Sequence, residues 1–131
     1  MWKQHQNRED GQAAVEFALV TPIIVVLLLG IIQVGVAFHN YLTLTDAARA
    51  GARRAVVSRF TGQSTAQLEQ NVRDAASGLN QTSLVVTVTR PTPSTAGSNV
   101  TVTAQYPYSI NLLGWVVASG NLTSTMTDRL E

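Results

Sequence analysis

One acidic residue, Glu16, stands at the start of a long apolar segment, and its position raises a chemical question. The charges before it end at Asp10, and the next charged residue is Asp46. A carboxylate at the edge of a membrane span is costly unless another group uses it. If the chain were cut between Gly11 and Gln12, the new α-amino group would lie one helical turn before Glu16. The spacing therefore predicts an ion pair between this amine and the Glu16 carboxylate.

Two roles for Glu16 follow from this spacing. In a bundle of such helices, the amine and the carboxylate pair within or between subunits, which lowers the cost of burying each charge. A neighbour at another axial position would leave one charge unpaired, so the pair would set the register of assembly. Alternatively, Glu16 only marks the helix N-terminus, where the helix dipole stabilises an anion. Both roles are consistent with the residues alone.

Few other residues offer catalytic or metal-binding chemistry. The chain has no cysteine and two histidines, His5 in the polar leader and His39 at the end of the apolar segment. His39 lacks a recognisable nucleophile or orienting acid, and there is no phosphate loop, calcium loop or zinc spacing. The net charge of +1 gives no argument for nucleic-acid binding. We therefore predict no enzyme, no metal site, no cofactor and no nucleic-acid partner.

The element that positions Glu16 is the apolar segment itself. From Phe17 to Phe38 the only strongly polar side chain is Gln33. Because about 20 residues cross a bilayer, this segment predicts a transmembrane helix over residues 17–38, in contact with membrane lipid. It is too long for the core of a secretory signal peptide, which is about 7–15 residues. An uncleaved signal anchor fits the length, whereas a leader cut before the segment also explains the acid.

The helical pattern continues beyond the predicted span, so we expect one helix over residues 12–58. Its first half would be buried in lipid or in a filament, and its second half would pack on a globular domain. Pro22 removes one backbone hydrogen bond inside the span, which predicts a kink or local unwinding. Small residues suited to close helix packing recur in the second half. They are Ala47, Ala48, Gly51 and Ala52. Helix propensity is the simpler explanation of so alanine-rich a stretch.

Residues 59–131 predict a small α+β domain. Ser64 and Gln67 have the spacing of a capping box that starts a second, short helix, in which Glu69 and Arg73 stand as an i,i+4 pair. Apolar and polar residues then alternate in three predicted strands, at 82–90, 100–106 and 121–130. We expect these strands to form an antiparallel sheet whose apolar face lies on the long helix.

Residues 109–120, "SINLLGWVVASG", are ambiguous between a short helix and an apolar loop. The stretch lacks the strict alternation that would predict a strand. Trp115 within it is expected to fill the core, and the alternative is that this side chain is exposed for a partner.

The N-terminal part of the chain resembles the TadE-like family. The resemblance covers roughly residues 11–57 and is carried by Gly11, Glu16-Phe17, Pro22 and the "LTDAARAGAR" stretch. Proteins of this family are minor pilins or pseudopilins of the tight-adherence machinery, which builds Flp (type IVb) pili in bacteria. TadG-like relatives carry a much larger C-terminal region, so TadE or TadF is closer to this chain.

The resemblance implies a specific function. Residues 1–11 would be a prepilin-type leader, removed by a prepilin peptidase between Gly11 and Gln12, and the fold would be pilin-like. Glu16 and Phe17 would then act in subunit register and assembly. The partners implied are the peptidase, other pilins or pseudopilins, and the inner-membrane platform of pilus assembly. Whether the protein enters the filament or only primes assembly is left open.

The resemblance also implies a location and an orientation. The protein would cross the bacterial inner membrane once, with a cytoplasmic N-terminus and a periplasmic C-terminal domain. The count of lysines and arginines near the span leans the other way, because Arg49, Arg53 and Arg54 follow it. We follow the resemblance, since the threonine-rich domain has the composition of an exported one. The alternative function is an uncleaved single-pass protein that displays a β-rich periplasmic binding module.

Overall fold

One helix, α1 (Lys3–Thr61), dominates the computed structural model, which describes residues 3–93 and 95–130. At about 1.5 Å per residue, its 59 residues extend over about 88 Å. The helix thus begins inside the predicted leader rather than at residue 12, and it runs slightly past residue 58. Gly62 ends it with a φ of 67° and donates its N–H to Ser58 O at 2.9 Å. Glycine adopts this left-handed cap without a steric penalty.

The second helix, α2 (Thr65–Ala75), starts at the predicted capping box. Ser64 N–H donates to Gln67 Oε1 at 2.8 Å, and Gln67 N–H donates to Ser64 Oγ at 3.3 Å. Leu68 and Val72 are fully buried on the inner face of this helix. The capping box is therefore confirmed, and with it the prediction of a short second helix.

The predicted pairing of Glu69 with Arg73 is wrong for the described structure, because both side chains turn to the chain that follows α2. Glu69 Oε1 accepts a hydrogen bond from Val88 N–H at 3.4 Å. Arg73 donates to Leu84 O at 2.9 Å and to Gln81 O at 3.1 Å. Backbone carbonyls in the connection between a helix and a strand have no ladder partner and need other donors, and the guanidinium supplies two N–H groups to them. These contacts tie α2 to the sheet.

Three strands form one antiparallel sheet in the order β1-β2-β3. They are β1 (Val85–Thr89), β2 (Asn99–Leu112) and β3 (Trp115–Arg129). One face of the sheet is threonine-rich and exposed, with the Thr101 and Thr127 hydroxyls 3.1 Å apart across the strands. The α+β fold class and the one-sided sheet predicted from the alternation are confirmed.

The hydrophobic core lies where the inner face of the sheet meets α2 and the C-terminal half of α1. The hydrophobic core residues that the strands supply are Val86, Val88, Val100, Val102 and Ala104. Those that α1 supplies are Leu44, Ala47, Ala48, Ala52 and Ala55. The core is small, and α1 supplies one of its walls, so the sheet depends on the helix for burial.

Strands β2 and β3 continue well past β1 as a two-stranded ribbon. Residues 107–120 make up this extension, which we call the distal hairpin. Its turn is Leu113-Gly114, with φ values of 52° and 90°. Both predictions for this stretch, a short helix or a loop, are wrong. The core-filling role predicted for Trp115 is also wrong, because the residue is 82% exposed: the ribbon has passed beyond β1 and α2, so no core remains there.

Candidate functional site

The N-terminal half of α1 presents a long apolar surface. The segment Gly11–Ser58 is long and apolar enough to cross a membrane. Its most apolar 18 residues have a mean hydropathy of 2.7, and none of them is buried. Its exposed side chains include Phe17, Leu19, Ile23, Leu27, Ile31, Ile32 and Phe38. A core helix of a soluble domain would bury such residues, so this surface calls for lipid or protein around it.

The residues predicted to act in cleavage and register lie at the free end of this surface. Gly11, Gln12, Glu16 and Phe17 are all exposed on continuous helix. The side-chain amide of Gln12 donates from Nε2 to Glu16 Oε1 at 3.2 Å. Residues 12 and 16 therefore share one helix face, as an ion pair between an amine at residue 12 and this carboxylate would require.

Pro22 lies inside α1, and the helix continues through it. Its ring nitrogen carries no hydrogen, so it supplies no donor for Ala18 O. The neighbouring Thr21 hydroxyl donates to Phe17 O at 2.6 Å, a bond that side chains in apolar helices use to satisfy the backbone. A kink at Pro22 stays a prediction.

The small residues of α1 lie inside the protein's own core. Ala47, Ala48 and Ala52 are at most 4% exposed. A Cβ atom on Gly51 would overlap Val72 Cγ2 of α2. This stretch therefore allows α2 and the sheet to approach α1 closely, and its small side chains face the domain.

Gln33, the single strongly polar residue of the predicted span, has a partner that the sequence did not reveal. Its Oε1 accepts from Asn111 N–H at 2.6 Å, and its Nε2 donates to Asn111 O. Asn111 lies where the pairing of β2 with β3 shifts register, after Ile110. A register shift interrupts the strand ladder locally, and the Gln33 amide binds both backbone groups of the residue there. A lone glutamine in an apolar segment was the only signal for this contact.

The distal hairpin lies beside the second half of the predicted span. Partly covered residues of α1 follow one another at helical spacing and lead to the fully buried Leu44. They are Val26, Gly30, Gln33, Ala37 and Asn40. Beyond them, Leu113 at the hairpin tip shares an apolar cleft with Pro22 and Val25. Between Val26 and Asn40, one face of α1 is thus partly covered, and the side chains on its other faces are exposed.

Comparison with known proteins adds one finding about this helix. Residues 11–53 match the TadE-like protein family. The match confirms the resemblance, and it begins at Gly11 and contains Glu16 and Pro22. This family is associated with Tad pili and is structural rather than catalytic. No curated protein and no solved structure matches the chain.

The TadE-like segment ends within α1, so α2 and the sheet lie outside the match. Among the described side chains, those of residues 11–58, 60–93 and 95–130, no three or more acidic or histidine side chains cluster as a metal site would require. One exposed ion pair, Asp46 with Arg49 at 3.9 Å, follows the TadE-like apolar surface. Such surface pairs contribute little.

Replacing Gln33 by methionine is expected to loosen the distal hairpin. The change keeps side-chain length but removes both hydrogen bonds to Asn111, each worth about 0.5–1.5 kcal/mol. Hydrogen exchange of the Asn111 amide should then accelerate about 5- to 150-fold, since about 1.4 kcal/mol is a factor of ten. Exchange at Val102 in the core should not change.

Val34→Met is the matched control for this experiment. Val34 neighbours Gln33 but is 55% exposed, so the same new side chain would sit away from the hairpin. Its Asn111 amide should exchange as in the parent protein. Equal exchange rates in the Gln33→Met and Val34→Met variants would show that the glutamine does not hold the hairpin.

Proposed function

We propose that this protein is a membrane-anchored minor pilin-like (pseudopilin) subunit that serves assembly of a type IVb Flp/tight-adherence pilus. A prepilin peptidase would remove residues 1–11 by cutting between Gly11 and Gln12. Glu16 would then pair with the new amine and set the register of subunits. The protein's work in this proposal is structural, and it needs no cofactor.

The observation that carries the proposal is where the family match begins. The TadE-like segment starts at Gly11, the last residue of the polar leader. Glu16 follows in the first turns after it, on the same helix face as Gln12. A plain membrane anchor needs neither a glycine at this junction nor an acid inside the apolar run. Peptidase processing combined with an assembly role for Glu16 accounts for both.

The exposed half of α1 supports the partners that the proposal names. In the membrane this half would contact lipid, and in a filament it would contact the same helices of other pilins or pseudopilins. The protein would sit in the bacterial inner membrane with the sheet domain in the periplasm, next to the assembly platform. Pro22 and Val25 border a cleft with Leu113 of the domain, but most side chains from Phe17 to Val25 are exposed, so they are available to such neighbours.

The decisive experiment is to determine the N-terminal residue by mass spectrometry of the full-length protein, produced with and without a prepilin peptidase. We expect a chain that starts at Gln12 only when the peptidase is present. A Gly11→Leu variant should stay uncut, because glycine lets another backbone approach closely and leucine does not. Gly30→Ala, a change at a glycine with open space around it, should be cut normally.

A chain that still starts at Met1 in the presence of an active peptidase would contradict the proposal. It would favour the second candidate, an uncleaved single-pass protein that displays its β-rich domain in the periplasm. One observation supports that candidate: α1 runs without interruption from Lys3 through the Gly11–Gln12 bond. A peptidase would first have to open this stretch of helix to reach the bond.

A further inference from the structure

We propose that the tip of the distal hairpin, residues 112–117, is a second membrane contact that enters the boundary between lipid headgroups and acyl chains beside α1. The inference rests on α1 lying in a bilayer and does not depend on a role in pilus assembly. The proposal assigns a location to the tip of the distal hairpin, which lies outside the hydrophobic core.

The first observation is the composition of the tip. Leu113, Trp115, Val116 and Val117 are between 62% and 82% exposed, although all four are apolar or amphipathic. No charged residue occurs anywhere in residues 91–127. A hairpin tip surrounded by water normally carries polar turn residues, whereas a contiguous exposed apolar patch marks an interaction site.

The second observation is the backbone at Leu113. Its φ of 52° lies in the left-handed region, which asparagine and glycine adopt readily and other residues disfavour. Two-residue hairpin turns with two positive φ values favour Asn-Gly. This turn is Leu-Gly, so the chain keeps an apolar side chain at its outermost point despite the strain. Such strain is typical of a functional position.

The third observation is that the tip lies next to the membrane segment itself. Leu113 borders the apolar cleft that Pro22, Val25 and Val26 of α1 line. Val26, the cleft residue nearest Gln33, is about 10 Å from it along the helix axis, and Leu113 lies two strand residues, about 7 Å, beyond the Asn111 that Gln33 binds. Interfacial segments bury their apolar side about 5–10 Å deep. If Gln33 lies at the membrane surface, the tip therefore reaches the depth at which tryptophan is most favourable.

The position of Gln33 follows from the backbone of the hairpin. If the whole predicted span, residues 17–38, lay in hydrocarbon, the distal hairpin beside it would lie there too, although its strands pair with no further strand on their outer sides and Gln33 binds the backbone of Asn111 alone. Open sheet edges do not occur in lipid hydrocarbon, because water cannot satisfy their backbone groups. The outer boundary of the bilayer is therefore near Gln33, and the helix between Glu16 and Gln33, about 25 Å long, crosses most of it. Glu16 then lies at the opposite boundary.

The fluorescence of Trp115 can report the proposed contact between the hairpin tip and lipid. The full-length Trp2→Phe variant has Trp115 as its single tryptophan and is reconstituted in phosphatidylcholine vesicles that contain lipids brominated along the acyl chain. We expect blue-shifted emission, with strong quenching by bromines close to the headgroup and weaker quenching by bromines near the chain end. Emission and quenching of a water-exposed tryptophan in the same vesicles would overturn the proposal.

A relocated tryptophan is the matched control. In the variant Trp2→Phe/Trp115→Phe/Val85→Trp, the reporter sits on β1, where Val85 is 55% exposed but far from the tip. Its quenching should be at least several-fold weaker than that of Trp115. Equal quenching at the two positions would show that the tip has no special contact with lipid.

Leu113→Asn separates lipid contact from folding. Asparagine suits the turn better than leucine, so circular dichroism should be unchanged while quenching of Trp115 falls. Unchanged quenching would contradict the inference that the apolar tip holds the membrane. A blue shift that appears only at high protein density, without quenching by lipid, would assign the tip to a second copy of the chain and overturn the lipid contact.

Discussion

Replacing Glu16 by alanine is expected to abolish or strongly reduce pilus assembly while leaving cleavage after Gly11 largely intact. In the mature chain the carboxylate would pair with the amine of Gln12 inside a bundle of apolar helices. Removing one partner of a buried pair costs about 3–5 kcal/mol, because the remaining charge stays unpaired. That loss corresponds to about 10²- to 4 × 10³-fold weaker association at each subunit contact.

Pilus counts by electron microscopy and the N-terminal mass of the same strain measure the two effects separately. Gln12→Ala is the matched control, because it removes the side chain that donates to Glu16 Oε1 at 3.2 Å but leaves the new amine at residue 12. We expect near-normal assembly in this variant. Normal piliation with alanine at position 16 would contradict the hypothesis that Glu16 sets the register of subunits. Equal defects in both variants would assign the effect to the amide contact rather than to the amine.

Replacing Gly51 by alanine is expected to destabilise the C-terminal domain, the second large effect. The added methyl group would overlap Val72 Cγ2 and contact Val102 Cγ1 at 3.5 Å. Overpacking of a close-packed core costs about 1–3 kcal/mol. The gain in helix propensity from glycine to alanine, about 1 kcal/mol, offsets only part of this cost. Thermal unfolding of the full chain in detergent should show the loss.

Two further variants make this test specific. Gly30→Ala receives the same methyl group where nothing lies within 4 Å, so propensity alone acts and stability should be unchanged or slightly higher. Val72→Ala removes the clashing atoms, and the double variant Gly51→Ala/Val72→Ala should be more stable than the sum of the single changes predicts. Additive effects would mean that the two residues do not share a contact.

Local patterns in the sequence were sufficient to predict much of this fold. The long apolar segment predicted α1, the Ser64–Gln67 spacing predicted the start of α2, and alternation predicted the parts of the sheet that cover the core. Each of these patterns reflects a force that acts within a few residues: burial at a regular period, or satisfaction of backbone groups at a helix end.

Sequence patterns did not predict the structure correctly where contacts between residues distant in the chain decide it. Residues 109–120 carry no strict alternation, because the distal hairpin lies beyond the core and one of its faces is only partly covered, and full burial is what imposes alternation on a strand. Their strand conformation is held instead by pairing between β2 and β3 and by Gln33, which is 78 residues away from Asn111. The predicted pairing of Glu69 with Arg73 was wrong for the same reason, since the partners of both side chains are backbone groups outside α2.

The sequence by itself determined that this protein has one long apolar helix, an acid at its entrance, and a small α+β domain with a threonine-rich sheet. Helix and strand periodicity, capping and the length of a bilayer span are properties of neighbouring residues, so they can be predicted from the sequence alone. Only the tertiary structure decided that the small residues of α1 face α2 and the sheet, that Gln33 holds a hairpin against the predicted span, and that Trp115 is exposed. Those outcomes depend on which distant backbone groups and side chains meet, and that is settled by packing and by the need to satisfy every polar group.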